Sequence, residues 1–219
     1  MEHVALSVDI ACFAFRNDAL NVLLVQRAMP PFEHAWALPG GAVLPDETLD
    51  AAAERLLAER AAVTGAYLEQ LYTFGEPNRD PRGRTLSVAY YALLGDGQPR
   101  PGRGTIDVQW APIDGLPKLA FDHAPIARYA RWRLAQKITY TPLAFSFLPE
   151  AFTVGDLRAL HEAVEGRPFD PSNFQKQMLA RWDLAPVPGE RDRRTRRPAR
   201  LFRYIGPREI AGPPTEPPA

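Results

Sequence analysis

The strongest fold signal in this chain is the run Pro39-Gly-Gly-Ala-Val-Leu-Pro-Asp-Glu-Thr-Leu-Asp-Ala-Ala-Ala-Glu-Arg-Leu-Leu-Ala-Glu-Arg60. Its first part is a loop in which two glycines permit close approach of another backbone segment. From Thr48 to Ala61 most residues are good helix formers, and the apolar ones recur on one helical face. Five residues separate Gly41 from Glu47, and seven separate Glu47 from Arg55. The run therefore predicts a Gly-rich loop followed by an amphipathic helix.

Alternating apolar residues predict β-strands on both sides of this helix. Leu6 to Cys12 alternates with smaller or polar residues, Arg16 to Asp18 has the composition of a turn, and Leu20 to Gln26 returns as a strand, which indicates a hairpin. We predict further strands at 67–74, 85–94 and 106–112, a polar loop at 75–84 and a closing helix at 123–138. This mixture indicates an α/β domain over residues 1–138.

The chain after a predicted connector at 139–152 has the pattern of two short helices. Thr153 is a good N-cap for the first helix, and Gly166 is typical of its C-terminal end. Asp170-Pro171 begins the second helix, because Asp caps a helix and Pro fits its first turn. We expect the second helix to bury an apolar stripe that consists of Phe174, Met178, Leu179 and Trp182.

Two strands and a basic run follow the helices and complete a predicted winged helix-turn-helix over residues 153–208. The strands are predicted at 184–187 and 200–204. Residues 153–208 contain 12 Lys and Arg against 7 Asp and Glu, although the whole chain has a net charge of zero. A basic module joined to a mildly acidic body predicts that the second domain binds a polyanion. The proline-rich residues 209–219 are predicted to be a disordered tail.

The composition excludes several other classes of protein. The 219 residues are 46% hydrophobic and 24% charged, which is typical of a globular protein. No run approaches the roughly 20 apolar residues that a membrane-spanning helix needs. The apolar residues 4–15 contain Asp9 and lack a basic leader, so we interpret them as a strand and not as a signal peptide. The single cysteine, Cys12, excludes an internal disulfide framework and favours a cytoplasmic location.

The spacing of Gly41, Glu47 and Arg55 in a strand–loop–helix context resembles the Nudix box. The resemblance implies a Nudix α/β/α sandwich over residues 1–138, in a family that uses divalent metal to hydrolyse nucleoside diphosphates linked to another group. Three later glutamates of the box share one helix face and can hold Mg²⁺ or Mn²⁺ against a pyrophosphate. In this chain the corresponding residues are Leu56, Glu59 and Arg60.

Two of the three metal-binding carboxylates are therefore missing. Arg60 places a positive charge where the metal would lie, and like charges repel. The surviving pair of Glu47 and Arg55 can hold the loop to the helix without catalysis, and we interpret Glu59 as a solvated helix residue. We expect no catalytic residue, no metal site and no required cofactor. The sequence thus predicts a pocket that binds its ligand without cleaving it.

The ligand that the resemblance implies is a nucleoside diphosphate compound. Arginines of the polar loop suit phosphates, which accept bidentate charge-assisted hydrogen bonds, and an aromatic ring can stack on a base. The predicted ligand-binding residues are Arg27, Trp36, Gly40, Gly41, Phe74, Arg79 and Arg82. The alternative is that the loop arginines form a solvated turn and that Trp36 packs in the core.

Polar residues of the second helix of the winged domain lie away from its apolar stripe and predict contact with DNA. Asn and Gln pair with adenine, and Lys and Arg hold phosphates. A winged helix places this helix in the major groove and its wing against the backbone or minor groove. The predicted DNA-binding residues are Ser172, Asn173, Gln175, Lys176, Arg194, Arg196, Arg197 and Arg200. The alternative for the wing is a charged disordered loop.

A Nudix-like domain followed by a winged helix resembles the NrtR family of bacterial transcriptional regulators. The segments that carry this resemblance are Tyr67–Gly75, Arg79–Arg84, Ser87–Tyr91, Leu119–Ala124, Asn173-Phe174 and Arg197–Arg203. Membership implies a homodimer that binds a palindromic operator and responds to ADP-ribose or a related sugar nucleotide. The regulated genes would belong to NAD metabolism or, in some branches, to pentose use. The alternatives are an active ADP-ribose pyrophosphatase with an accessory domain and, third, an RNA-binding adaptor.

Overall fold

A computed structural model of the chain describes residues 4–95, 97–192 and 198–206. The chain divides into two compact units. The first unit consists of the chain up to Ala14 and of Asn21–Arg133. The second unit consists of Phe15–Leu20 and the chain from Leu134 onward. None of the helices in the described ranges is both long enough and apolar enough to cross a bilayer.

The first unit is built on a seven-stranded mixed sheet. Its strands are β1 (Ala5–Arg16), β2 (Ala19–Arg27), β3 (Trp36–Ala37), β4 (Gly40–Ala42), β5 (Tyr67–Phe74), β6 (Thr85–Leu93) and β7 (Thr105–Pro112). The order along the sheet is β3-β2-β1-β6-β5, with β1 parallel to β6, while β4 pairs with β1 and β7 with β2. The predicted hairpin of β1 and β2 is confirmed. Its turn residues Asn17 and Asp18 have φ of 52° and 56°, which suit a two-residue hairpin turn.

Helix α1 (Leu49–Ala61) packs on one face of this sheet and is capped by Thr48, whose side chain accepts a hydrogen bond from Ala51 N–H. Buried residues of α1 and alternate residues of β1 share one core cluster, which includes Val8, Ile10, Cys12, Ala52, Ala53, Leu56, Leu57 and Ala61. Ala11 and Phe13, which face the other way along β1, are also fully buried. Both faces of the sheet are therefore covered, as an α/β architecture requires. Helix α2 (His123–Ile138) has the predicted bounds, and its residues from Leu134 onward belong to the second unit.

The second unit contains a pair of helices followed by a hairpin, in the predicted order of a winged helix-turn-helix. The elements are β8 (Phe152–Thr153), α3 (Val154–Glu165), α4 (Pro171–Arg181), β9 (Leu184–Asp192) and β10 (Ala199–Tyr204), and the three strands form an antiparallel sheet in the order β8-β10-β9. Thr153 and Asp170 cap α3 and α4, and Gly166 ends α3 with a φ of 71°. The architecture is confirmed.

Some details of this unit differ from the sequence prediction. The predicted connector at 139–152 includes a 3₁₀ helix at Pro142–Phe147, and β9 is longer than the predicted strand. Leu179 was expected to be buried but is 41% exposed, because at 3.6 residues per turn it lies about 140° around α4 from the buried Phe174. Trp182 lies just past the end of α4 and packs against the rings of Phe145 and Tyr204. The predicted tail at 209–219 lies outside the described residues.

Candidate ligand cleft and nucleic-acid interface

The first unit contains a cavity of about 620 Å³, bounded by the Gly-rich loop and by the loop between β5 and β6. Its volume is in the range of small-molecule sites. The charged residues that line it are five arginines and two aspartates, namely Arg27, Arg60, Arg79, Arg82, Arg84, Asp9 and Asp80. The excess of positive charge favours an anionic ligand.

Asp9 lies at the floor of this cleft and accepts hydrogen bonds from two side chains. Ser87 Oγ donates to Asp9 Oδ2 at 2.6 Å, and Arg79 Nη2 donates to the same oxygen at 3.1 Å. Burial alone would raise the pKa of Asp9, but the contacts with His123, Ser87 and Arg79 outweigh burial and hold the pKa well below its ordinary value. Asp9 is therefore a buried carboxylate that stays ionised.

His123 begins helix α2 and fixes the position of Asp9 from the other side. Leu38 N–H donates to His123 Nδ1 at 2.8 Å, so the ring hydrogen is on Nε2. His123 Nε2 faces Asp9 Oδ1 at 3.4 Å. Because Leu38 precedes the Gly-rich loop, this histidine connects the loop, the sheet and the start of α2.

Arg79 lies in the cleft lining but is already paired with carboxylates. Its guanidinium donates to Asp122 through Nε at 2.9 Å and through Nη2 at 2.7 Å, in addition to the bond with Asp9. The Arg79 side chain is 3% exposed, so the alternative of a solvated turn does not apply to this residue. Whether Arg79 also contacts a ligand stays a prediction.

An aromatic ring, that of Phe121, and two more arginines also line the cleft. Arg27 Cζ lies 4.9 Å and Arg82 Cζ 5.9 Å from the ring centroid of Phe121, which are cation–π distances. Arg82 pairs with Asp80 through two hydrogen bonds of 3.0 and 2.7 Å. Within the described part of the chain, Arg27 donates to two backbone carbonyls, those of Pro31 and Met29.

The two aromatic residues predicted from the sequence do not line this cavity. Trp36 lies in the short strand β3, where its carbonyl accepts from Ala120 N–H. Phe74 lies at the end of β5 and contacts the rings of Tyr72 and Tyr129. Phe121 is the aromatic residue at the cleft that sequence reasoning missed. Its only signal was its place in the segment Leu119–Ala124.

Gly40 and Gly41 both line the cleft, as predicted for the Gly-rich loop. Gly40 pairs with Asp9 across β4 and β1. A Cβ atom at Gly40 would lie 2.3 Å from Asp9 Oδ1 and 2.6 Å from the Val8 carbonyl oxygen, so only glycine fits there. The absence of a side chain thus lets the loop lie directly against the floor of the cleft.

The residues at the positions of the Nudix metal ligands do not fit a divalent cation. Leu56 is 1% exposed and belongs to the hydrophobic core cluster. Arg60 Nε donates to the Gly40 carbonyl at 3.2 Å, and Arg60 Nη1 donates to the Arg103 carbonyl at 2.6 Å. A guanidinium therefore lies between the helix and the Gly-rich loop, where the resemblance to the Nudix box would place a metal ion. Within the described ranges, no group of three or more His, Cys, Asp and Glu is placed to hold a metal ion.

The two surviving glutamates of the box are both engaged by Arg55. Arg55 Nε and Nη2 donate to the Glu47 carboxylate at 2.8 and 2.6 Å, and Arg55 Nη1 lies 3.4 Å from Glu59 Oε2. Leu44 N–H donates to Glu47 at 2.7 Å. These bonds, chiefly the one from Arg55, lower the pKa of Glu47 to about 2. The pair holds the loop to α1, as the sequence suggested.

The second unit presents a polar helix face that matches the predicted nucleic-acid interface. On α4, Phe174 and Met178 are buried, whereas the predicted contact residues Ser172, Asn173, Gln175 and Lys176 are exposed. Arg200 on β10 is exposed too. The predicted contacts Arg194, Arg196 and Arg197 lie outside the described residues. Contact of these side chains with DNA stays a prediction.

The fold and the cleft together define a class of protein in which a Nudix-type domain precedes a winged helix. The comparisons with known proteins agree with this class. The family model of the NUDIX domain matches residues 5–132, and that of the NrtR DNA-binding winged helix domain matches residues 144–204. The chain belongs to the NrtR family of Nudix–winged-helix proteins.

Three known proteins show how far the similarity extends. The ADPR responsive transcriptional repressor NtrR of Acinetobacter baylyi is 33% identical over 91% of this chain and 81% of its own length. The crystal structure of Shewanella oneidensis NrtR complexed with a 27mer DNA has a TM-score of 0.74 and 36% identity, over 91% of this chain and 93% of that one. The NUDIX domain of the same NrtR, complexed with ADP ribose, has a TM-score of 0.57 and 38% identity, over 61% and 90%.

Proposed function

We propose that this protein is a ligand-responsive bacterial transcriptional regulator that binds operator DNA through its second unit and ADP-ribose, or a related sugar nucleotide, in the cleft of the first. The observation that carries the proposal is the presence, in one chain, of an arginine-lined cleft and a winged helix of the NrtR type. The relatives support it, since one is named an ADPR responsive repressor and the solved structures contain DNA and ADP ribose.

The chemistry of the cleft suits such a ligand. The diphosphate of a sugar nucleotide is an anion, and guanidinium groups bind it through charge-assisted hydrogen bonds. Phe121 offers an aromatic ring of the kind on which a base can stack. The buried Asp9 and Asp80 restrict the positive charge to defined positions, which favours one orientation of the ligand.

The proposed partner of the second unit is a palindromic operator, bound by a homodimer in the cytoplasm. A dimer presents two copies of α4, which is the arrangement that reads two half-sites of double-stranded DNA. We further propose that the protein is a repressor of genes of NAD metabolism. An RNA-binding adaptor would lack the preference for duplex DNA that this arrangement implies.

The proposed link between ligand and DNA runs through α2 and the residues after it, up to 152. A ligand changes operator affinity only if it favours one arrangement of the DNA-binding units over another. Helix α2 starts at the cleft residue His123 and carries the chain from the first unit into the second. A change at the start of this helix is therefore the most direct signal that the cleft can send.

The test is an electrophoretic mobility shift with the DNA upstream of the protein's own gene, with and without ADP-ribose. We expect a shifted complex whose affinity falls steeply as salt increases, because phosphate contacts release counterions. We also expect ADP-ribose to change the affinity. A complex that is insensitive to ADP-ribose at millimolar concentration would contradict the ligand response, and the absence of duplex binding would contradict the regulatory role.

We propose that the cleft binds without hydrolysis. The competing function is an active ADP-ribose pyrophosphatase, and the retention of Glu47 and Glu59 is the observation that favours it. Both carboxylates contact Arg55, however, and Leu56 offers no ligand atom. Incubation of ADP-ribose with the protein and Mg²⁺ or Mn²⁺ decides the matter. Substantial turnover that Glu59→Gln abolishes would favour the enzyme.

A further inference from the structure

Arg60 occupies an unusual position for an arginine on a helix surface. Its guanidinium is held by two backbone carbonyls from different loops, those of Gly40 and Arg103. Gly104 has a φ of +70°, and a Cβ atom there would lie 2.5 Å from Arg60 Nη1. The glycine therefore makes room for the guanidinium. Two backbone segments thus hold the guanidinium, and Arg60 also lines the cleft.

Within the described residues, no salt bridge compensates the charge of Arg60. Arg79 and Arg82, which share the cleft, are each paired with aspartates. By contrast, no carboxylate of the described residues forms a salt bridge with Arg60, and its Nη2 nitrogen has no acceptor among them. Partial burial, with repulsion from Arg103 and Arg55, lowers the pKa of Arg60, although Glu59 opposes this. A half-buried cation that forms no salt bridge with a carboxylate attracts an anion.

The position of Arg60 is also that of a lost metal ligand. In the Nudix box a carboxylate at this point holds a divalent cation against the diphosphate, whereas here the side chain is itself the cation. A guanidinium binds two phosphate oxygens in a planar fork, while a metal ion needs several clustered oxygens that this cleft does not supply. At this position the chain itself therefore carries a cation, the Arg60 guanidinium.

We propose that Arg60 replaces the divalent cation in this cleft, so that it binds the diphosphate group of the ligand directly and binding requires no metal. This inference rests on the proposed function for the identity of the ligand as ADP-ribose. It also assigns the diphosphate subsite to Arg60, which the sequence alone showed only as a departure from the Nudix box. Under this proposal, Arg60 supplies the positive charge that a metal ion supplies in the Nudix box.

The test is isothermal titration calorimetry of the full chain with ADP-ribose and, separately, with inorganic pyrophosphate, each in EDTA and in excess Mg²⁺. We expect the wild-type affinity to differ less than about twofold between the two conditions. Arg60→Gln should weaken both ligands at least about tenfold, because it removes a charge-assisted pair of hydrogen bonds. Arg60→Lys keeps the positive charge but not the planar pair of donors. Its affinity for both ligands should therefore lie between those of wild type and Arg60→Gln.

Arg100→Gln is the matched control, since Arg100 is exposed and outside the cleft lining, and its affinity should stay within about twofold of wild type. Thermal unfolding of each variant tests whether the fold is retained. Binding that requires Mg²⁺, or Arg60→Gln with wild-type affinity, overturns the inference and leaves the proposed function intact. Pyrophosphate binding that depends on Arg60, without any binding of ADP-ribose, supports the inference and contradicts the proposed ligand. No binding of either ligand contradicts both.

Discussion

Asp9 shows how a single buried charge organises the cleft. It lies 6% exposed on the central strand β1 and contacts a serine from β6, an arginine from the loop before it and a histidine from α2. A buried carboxylate is tolerated only when such partners replace its hydration. Because each partner belongs to a different element, Asp9 joins four parts of the domain at one point.

We expect Asp9→Asn to lower the free energy of unfolding by about 2–3 kcal/mol, because a neutral amide loses the charge-assisted bonds and leaves Arg79 paired with Asp122 alone. Urea unfolding at pH 7 measures the change. Asp46→Asn is the control, since Asp46 is exposed, and it should stay within about 0.5 kcal/mol of wild type. If both variants were equally stable, the network would not hold the domain together.

The Gly-rich loop and helix α1 form one element through Glu47 and Arg55. Both oxygens of the Glu47 carboxylate accept hydrogen bonds. Oε2 accepts from Arg55 Nε, and Oε1 accepts from Arg55 Nη2 and from Leu44 N–H. Arg55 Nη2 also reaches the Ala42 carbonyl at 3.2 Å. The Gly-rich loop, which lines the cleft, is thus fixed to helix α1.

The pH dependence of stability tests this link. The pKa of Glu47 is about 2 in the folded protein against an ordinary value of 4.5, so its contribution is complete above about pH 5 and is lost as the pH falls toward 2. The difference in unfolding free energy between wild type and Glu47→Gln should therefore shrink from pH 6 to pH 3 in urea titrations. Glu54→Gln, an exposed change on the same helix, should show no such trend. A difference for Glu47→Gln that is independent of pH would refute the assignment.

The sequence predicted the secondary-structure elements better than the side-chain contacts between them. Helices α1, α3 and α4 followed from caps and apolar spacing, which are local signals, and the β1–β2 hairpin followed from its turn. The partners of Arg79 are 43 and 70 residues away along the chain, and no local spacing encodes such pairs. Phe121 was missed for the same reason, because only the fold brings it beneath Arg27.

The exposed face of α4 predicts a specific effect on DNA binding. Lys176 is exposed on the side opposite Phe174. If Lys176 binds a phosphate, Lys176→Ala should weaken operator binding and reduce the slope of log affinity against log salt by about one, while ADP-ribose binding stays unchanged. Fluorescence anisotropy at several salt concentrations measures both quantities. Lys118→Ala, an exposed change in the first unit, is the control of equal charge and should leave the slope unaltered.

For the whole molecule, the proposed function requires that ligand binding in the first unit and DNA binding in the second be coupled. Linkage requires that the factor by which ADP-ribose changes operator affinity equals the factor by which operator DNA changes ADP-ribose affinity. This equality holds whichever way the ligand acts, so it tests the regulatory mechanism without knowledge of its sign. A coupling of about 1–3 kcal/mol corresponds to about 5- to 150-fold.

We therefore expect anisotropy titrations of operator, with and without saturating ADP-ribose, and calorimetric titrations of ADP-ribose, with and without operator, to give the same factor within that range. Arg60→Gln adds a further constraint on the mechanism. If Arg60 anchors the diphosphate equally in both arrangements of the protein, this variant raises the ADP-ribose concentration needed for the response but leaves the factor at saturation unchanged. A variant that abolished the factor even at saturation would instead show that Arg60 transmits the signal. Two unequal factors for the wild-type protein would mean that ligand and DNA do not act on one shared equilibrium.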